Sequence, residues 1–237
     1  MRRTAALCRA AAMLCALLLI AAPLATRFGL VPWQLGLPLA ALALLGGAVL
    51  LPVALVLLAL PAWRGVRGTL AAGALLAALP VLAAVVLIAP GIGLPAIHDI
   101  STDIADPPGF VALAALRGAQ ANPLARTPEV DRAQREAYPG VLPLDSPLAP
   151  AAAFARAAAT ARALGWRVQA EDPEAGLIEA SATTFWFGFV DDIAIRVRPH
   201  DGGSRVDLRS VSRVGQGDLG ANARRIARFS ETFAGPG

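Results

Sequence analysis

The chain has 237 residues, 56% of them hydrophobic, a mean hydropathy of +0.59 and a formal charge of +4. That apolar content lies outside the range of soluble globular domains, so part of the chain belongs in lipid. All 17 carboxylates fall at or after Asp99, and six of the 21 basic residues, all arginines, precede it. The basic balance therefore comes from short loops beside apolar segments, which excludes the clustered positive surface that nucleic-acid binding needs.

In chain order, 10–25, 35–62 and 70–89 are uncharged apolar runs. About 20 helical residues at ~1.5 Å each cross a bilayer, so the second and third span comfortably and the first is short. The arginines ahead of the first run resemble a signal peptide, but Pro23, Leu24 and Ala25 form a poor cleavage site, so a retained helix is expected. Arg2, Arg3 and Arg9 precede the first run and Arg64 and Arg67 separate the second from the third, against Arg27 alone between the first two. The excess of cytoplasmic arginine sets three crossings with the N-terminus inside and the C-terminal region outside, in a Gram-negative cell the periplasm. No Asp, Glu, Lys or His lies within the runs, so residues 1–96 read as an anchor rather than a transport pathway. Cys8 and Cys15 share one helix face as small apolar residues, with lipidation or an interchain bridge as the alternative.

Residues 97–237 read as an extracytoplasmic α+β domain whose first part, 97–150, is a long Pro-rich segment with one short helix candidate over 108–117. An alanine-dense helix is expected from Ala149 to Leu164, ending at Gly165. Alternating patterns then mark strands from Trp166 to Glu171, Leu177 to Thr184, Asp192 to Arg198 and Arg205 to Arg213. A last helix runs from about Leu219 to Phe233, with Asp218 as N-cap and Ile226, Phe229 and Phe233 as its apolar stripe. The expectation is a two-layer domain: a four-stranded antiparallel sheet with two main helices.

The stretch GQGDLG (215–220) spells the dinucleotide-binding pattern G-x-G-x-x-G and sits between a strand and a helix. Only 17 residues follow Gly220, too few for a second parallel strand and its ribose-binding acid, and Asp218 puts negative charge where phosphates would lie. No nucleotide is expected, and glycines at a strand-to-helix corner account for the letters.

With PHDGG as a turn, alternation puts Arg196, Arg198, Arg205, Asp207, Arg209 and Arg213 on one sheet face, with Arg196 across from Asp207. Two readings follow: a solvated face with one ion pair, or an anion site, since five guanidiniums oppose one carboxylate. Ser210, Ser212 and Asn222 point to the other face, as a polar network locking the corner or as ligand-binding groups. Adjacent Asp191 and Asp192 point to opposite faces of a strand, which opposes a shared acid/base role. A catalytic alternative would bring them together with His98. His98, in IHDISTDIADPP with Asp99, Asp103 and Asp106, also suits turn and cap chemistry; His200 lies in a turn. No metal, cofactor or hydrolase motif is present in the sequence.

IHDISTDIADPP (97–108), TTFWFGFVDDIAIRVRP (183–199) and VDLRSVSRVGQGDLGANARRI (206–226) together resemble the bacterial family of domain of unknown function 1499, over about residues 97–234. Its members often carry N-terminal membrane helices, in agreement with the apolar runs, and the resemblance implies a domain type and assigns no catalytic residue; the expected location is the bacterial inner membrane. The functional expectation is a membrane-anchored binding or interaction module of the cell envelope. Its partners would be the bilayer and an anionic ligand, lipid head group or envelope protein, met at Arg196, Arg198, Arg209 and Arg213. The alternatives are an envelope hydrolase, or an assembly subunit exposing Phe185, Trp186 and Phe187.

Overall fold

A computed structural model describes residues 1–235 in two compact units, Met1–Ile92 with Phe185–Gly188, and Gly93–Thr184 with the chain from Phe189 on. The first unit holds three long apolar helices: α1 (Arg2–Arg27), α2 (Trp33–Ala59) and α3 (Arg67–Leu87). A 3₁₀ turn over Pro61–Val66 joins α2 to α3. The three helices are long and apolar enough to cross a membrane, the third as part of a continuous stretch Pro61–Gly91. The first helix is longer than its apolar run because the alanine-rich, arginine-bearing residues 2–9 also propagate helix.

Small residues make the helix contacts, as expected where packing rather than water exclusion drives association. Ala5, Ala12 and Ala16 of α1 are buried, with Ala40, Ala43 and Gly47 of α2 and Gly73, Ala74 and Ala77 of α3. A Cβ on Gly47 would collide with Pro80, and one on Gly46 would lie 2.5 Å from the Cys15 sulfur. Cys15 therefore acts as a small packing residue, and both cysteines are free. Leu14, Leu17, Leu42, Leu45, Leu82 and Val85 form part of the exposed outer surface.

The second unit is α+β, as expected, but its antiparallel sheet has six strands rather than four. They are β1 (Asp99–Ser101), β2 (Leu144–Ser146), β3 (Arg167–Asp172), β4 (Leu177–Thr183), β5 (Val190–His200) and β6 (Gly203–Ser212). The order is β1-β6-β5-β4-β3, and β2 also pairs with β6, beside Ser204–Val206, where β1 pairs beside Arg209–Val211. The two extra strands have three residues each, too few for alternation to register, and both come from the Pro-rich segment. At the β5–β6 hairpin, Asp201 and Gly202 both adopt positive φ, the two-residue turn whose twist matches the strands. That turn fixes the expected register, Arg196 opposite Asp207.

Helices α6 (Pro150–Ala163) and α7 (Ala221–Ala234) cover one face of the sheet. Ala153, Ala157 and Ala161 let α6 approach closely over Ile178, Ile193, Ile195, Val206 and Leu208. Trp166 stacks on Phe229 at 5.5 Å, and Phe229 on Phe233 at 5.8 Å. The opposite face is covered as well, by α4 (Ala112–Leu116) and its flanking loops, with Leu113 fully buried. The helix expected over 108–117 thus shortens to one turn. A further helix, α5 (Pro128–Ala137), starts at Thr127, whose hydroxyl accepts from the Val130 N–H, with Pro128 in its first turn.

Candidate functional site: the charged face of the sheet

Alternation along β5 and β6 sends Asp192, Arg196, Arg198, Arg205, Asp207, Arg209 and Arg213 away from α6 and α7. The arginines lie on one face as expected, but they meet more than one carboxylate. After β1 the chain folds over this face as a tight loop, in which the Asp103 carboxylate accepts from the N–H groups of Ala105 and Asp106 at 3.1 and 3.0 Å. Asp103 Oδ2 then receives Arg205 at 3.2 Å and Arg198 at 3.4 Å, with Arg196 at 3.7 Å. Asp207, with a fully buried side chain, takes Arg198 at 2.7 Å, Arg205 at 3.0 Å and Arg196 at 3.2 Å. Asp106 bridges the Nη1 groups of Arg198 at 2.9 Å and Arg196 at 3.1 Å, and its side chain is 65% exposed. Three guanidiniums and three carboxylates make this cluster neutral. One buried donor in it, Nε of Arg196, has no hydrogen-bond partner among the described residues.

Electrostatics follow the geometry. Burial pushes the Asp103 carboxyl up, but the Asp106 N–H, Arg205, the Ala105 N–H and Arg196 together outweigh it and hold the group below the ordinary carboxylate value. Burial lowers Arg198, while Asp207 and Asp106 more than reverse this, so its guanidinium loses its proton less readily than usual.

Further along the face, Arg209 is buried with Asp99, which it grips through Nε at 3.1 Å and Nη2 at 2.7 Å. Its remaining N–H groups reach the Pro108 and Leu124 carbonyls, and its plane lies over Phe110. Arg126 donates to Asp99 at 2.8 Å, to Asp131 at 2.8 Å and to Gln134 at 2.9 Å. Gln134 in turn pairs its amide with both backbone groups of Ser101, so a side chain satisfies the outer edge of β1. At the far end, Asp192 is shared by Arg213 at 2.8 Å and Arg117 at 2.5 Å. Glu179, also on this face and buried, accepts from the N–H groups of Val111, Ala112 and Leu113 and so caps α4.

On the helix-covered face, Ser210 donates to Asn222 Oδ1 at 2.6 Å, and Asn222 Nδ2 donates to Ser212 at 3.0 Å and to the His98 carbonyl at 3.1 Å. Arg225 joins them by donating to Ser210, Asn222 and Asp191. The three polar residues thus converge, and their partners are each other, Arg225 and a backbone carbonyl. Asp191 and Asp192 occupy opposite faces, each taken up by arginine. The ring of His98 lies 3.4 Å from the Gln216 carbonyl rather than at either aspartate. Among the described residues no group of three His, Cys, Asp or Glu side chains has metal-binding geometry. In GQGDLG, the Asp218 carboxylate accepts from the N–H groups of Gly220 and Asn222 at 2.7 Å each, so it fills the anion position at the start of α7 itself. The helix starts two residues later than expected: its N-cap is Gly220, in the left-handed conformation, and Asp218 lies two residues ahead of that cap.

The chain pattern alone did not identify Arg117, Arg126 and Gln134 as partners. Thr127-Pro128 could have revealed the helix that carries Gln134, but no local signal joins Asp99 to Arg209, 110 positions apart. The Asp99, Asp103 and Asp106 group, weighed with His98 at the level of sequence, finds its partners in the arginines of β5 and β6.

Three long apolar helices followed by an antiparallel α+β domain, with its charged face closed by its own leading segment, define the class. The family model described as protein of unknown function (DUF1499) matches residues 99–233, and the chain belongs to that family; the apolar helices lie outside the match. None of the curated proteins compared with it matches.

Proposed function

We propose that this is a multi-pass inner-membrane protein with its N-terminus in the cytoplasm, whose periplasmic domain is a non-catalytic binding module for an anionic group. Arg196 and Arg198 form the receiving pair. One observation carries the reading: two partly exposed guanidiniums hold the largely exposed carboxylate of Asp106 between them, the arrangement by which arginines take a phosphate or carboxylate. The buried, unpartnered Nε of Arg196 supplies a further donor. Asp106 stands in for the ligand, and an incoming anion exchanges with it. Arg209 serves the fold, because Asp99 and two carbonyls consume it. Arg213 lies at the edge of the surface, sharing Asp192 with Arg117.

The test is the thermal midpoint of the detergent-solubilised full chain, titrated with inorganic phosphate and with glycerol phosphate. A ligand that binds the folded state raises the midpoint by mass action. Asp106→Asn should strengthen the response and Arg196→Gln with Arg198→Gln should abolish it. No response in either the parent chain or Asp106→Asn would remove the anion reading. Orientation is checked separately: alkaline phosphatase fused at the C-terminus should be active, and a fluorescent protein that folds only in the cytoplasm should stay dark there.

A further inference from the structure

The connection between β4 and β5 reads TFWFGF, and its tip, Phe185–Gly188, groups with the apolar helices in the first unit. Within that unit Arg27, in the last turn of α1, donates to the Phe185 carbonyl at 2.6 Å and lies over the Phe185 ring at 5.7 Å. Phe185 and Trp186 meet edge to face at 5.2 Å, yet Phe185 remains 71% exposed and Trp186 40%. At the same end of α1, Phe28 and Leu30 are 71% and 77% exposed, and Trp33 opens α2. Single exposed apolar residues are ordinary on a soluble surface. Here two large aromatics from a connection remote in sequence join the polar end of an apolar helix, where a guanidinium marks the limit of the hydrocarbon. Indole and phenyl rings beside an arginine at that level match the boundary between head groups and acyl chains, which favours aromatics with one apolar and one wet side.

We propose that Phe185 and Trp186 are an interfacial anchor, inserted into the head-group layer of the bilayer at the Arg27 end of α1. The inference rests on the membrane part of the reading above and is independent of anion binding. The partner is the lipid surface itself, and specificity for a particular head group is not required, because ring burial and the indole N–H suit any phospholipid interface. The loop tip thus adds to the first unit a bilayer contact that is remote in sequence from the apolar helices.

The experiment uses the full chain in phosphatidylcholine vesicles whose lipids carry a nitroxide quencher either near the head group or deep in the acyl chain. Flotation first shows that the protein is in the vesicles, and subtracting the emission of Trp186→Phe isolates the Trp186 signal. The expected result is that Trp186 loses most of its emission to the shallow nitroxide, little to the deep one and little to aqueous iodide. Quenching by iodide without quenching by lipid overturns the anchor and leaves the membrane reading standing. Protection from both quenchers also overturns it, and points to a protein partner such as a second copy of this chain. Failure to float overturns the membrane reading together with the anchor, so the two failures are distinguishable.

Discussion

Arg209→Gln tests whether the charged face is structural at its buried end. The substitution removes a two-point contact to Asp99, at 3.1 and 2.7 Å, and donors to the Pro108 and Leu124 carbonyls, from a side chain that is 6% exposed. Asp99 would keep only Arg126 among its present ion-pair partners, at 2.8 Å. Removing one partner of a buried, hydrogen-bonded pair costs about 3–5 kcal/mol, chiefly through the charge left behind. For a domain of this size, each kcal/mol moves the midpoint by roughly 4 °C, so the near-ultraviolet circular dichroism of the full chain in detergent should melt about 12–20 °C lower. Arg205→Gln, at a partly exposed site with a 29% exposed side chain, should cost about 1 kcal/mol or less. Asp99→Asn combined with Arg209→Gln should cost less than the two changes added, since the double variant leaves no unpaired charge at that contact. An Arg209→Gln melt within about 2 °C of the parent would refute this burial-based reasoning, and lost phosphate response with unchanged stability would return Arg209 to the binding surface.

Asn222→Ala removes the acceptor of the Ser210 hydroxyl and the donor to the Ser212 hydroxyl at a fully buried position; at about 1–3 kcal/mol for a buried group left unsatisfied, a loss in that range is expected in the same melt. Acid should loosen the loop over the arginines: the Asp103 carboxyl is depressed in the folded state, so its stabilisation is fully present above its unfolded pKa and disappears as pH falls through the lower folded value. Arg205→Gln should flatten that acid limb, measured as midpoint against pH, and an unaltered limb would show that Asp103 does not set it. Gly47→Leu must displace Pro80 and the Ala77 carbonyl, so the helical unit should lose about 1–3 kcal/mol or more, read as a lower aggregation temperature in detergent, while a leucine at exposed position 45 is already native.

The elements legible in the sequence are those whose pattern is long or whose turn is specific. Three apolar runs, the alanine-faced α6 and the β5–β6 hairpin all declare themselves, and the Asp201-Gly202 turn carries the register down to Arg196 opposite Asp207. The face assignment of the arginines follows from period-2 geometry alone. The charge balance of that face was not legible, because Asp99, Asp103 and Asp106 reach it through a loop and a three-residue strand, and no periodicity in 97–108 says where they point. The same blind spot hid β1, β2 and the side-chain closure of the β1 edge by Gln134. Only pairing with β6 makes Asp99–Ser101 a strand.

Exposure rises along that loop, and this gradient decides what the face can do. The side chains of Asp99, Asp103 and Asp106 are 5%, 13% and 65% exposed, and all three bind arginines of β5 or β6. An anion arriving from solvent competes with Asp106 at little desolvation cost, but with Asp99 only by opening β1 and the loops over Phe110 and Leu124. In the proposed anion reading, exchange would thus be confined to the last carboxylate, while the first holds the segment on the sheet. Asp103 lies between them, tied to two backbone N–H groups as well as to the arginines, so it limits how far the loop can lift. Asp103→Asn should therefore enlarge the protease-sensitive stretch around residues 103–108 on anion binding, whereas in the parent chain the change should stay at Asp106 and its neighbours.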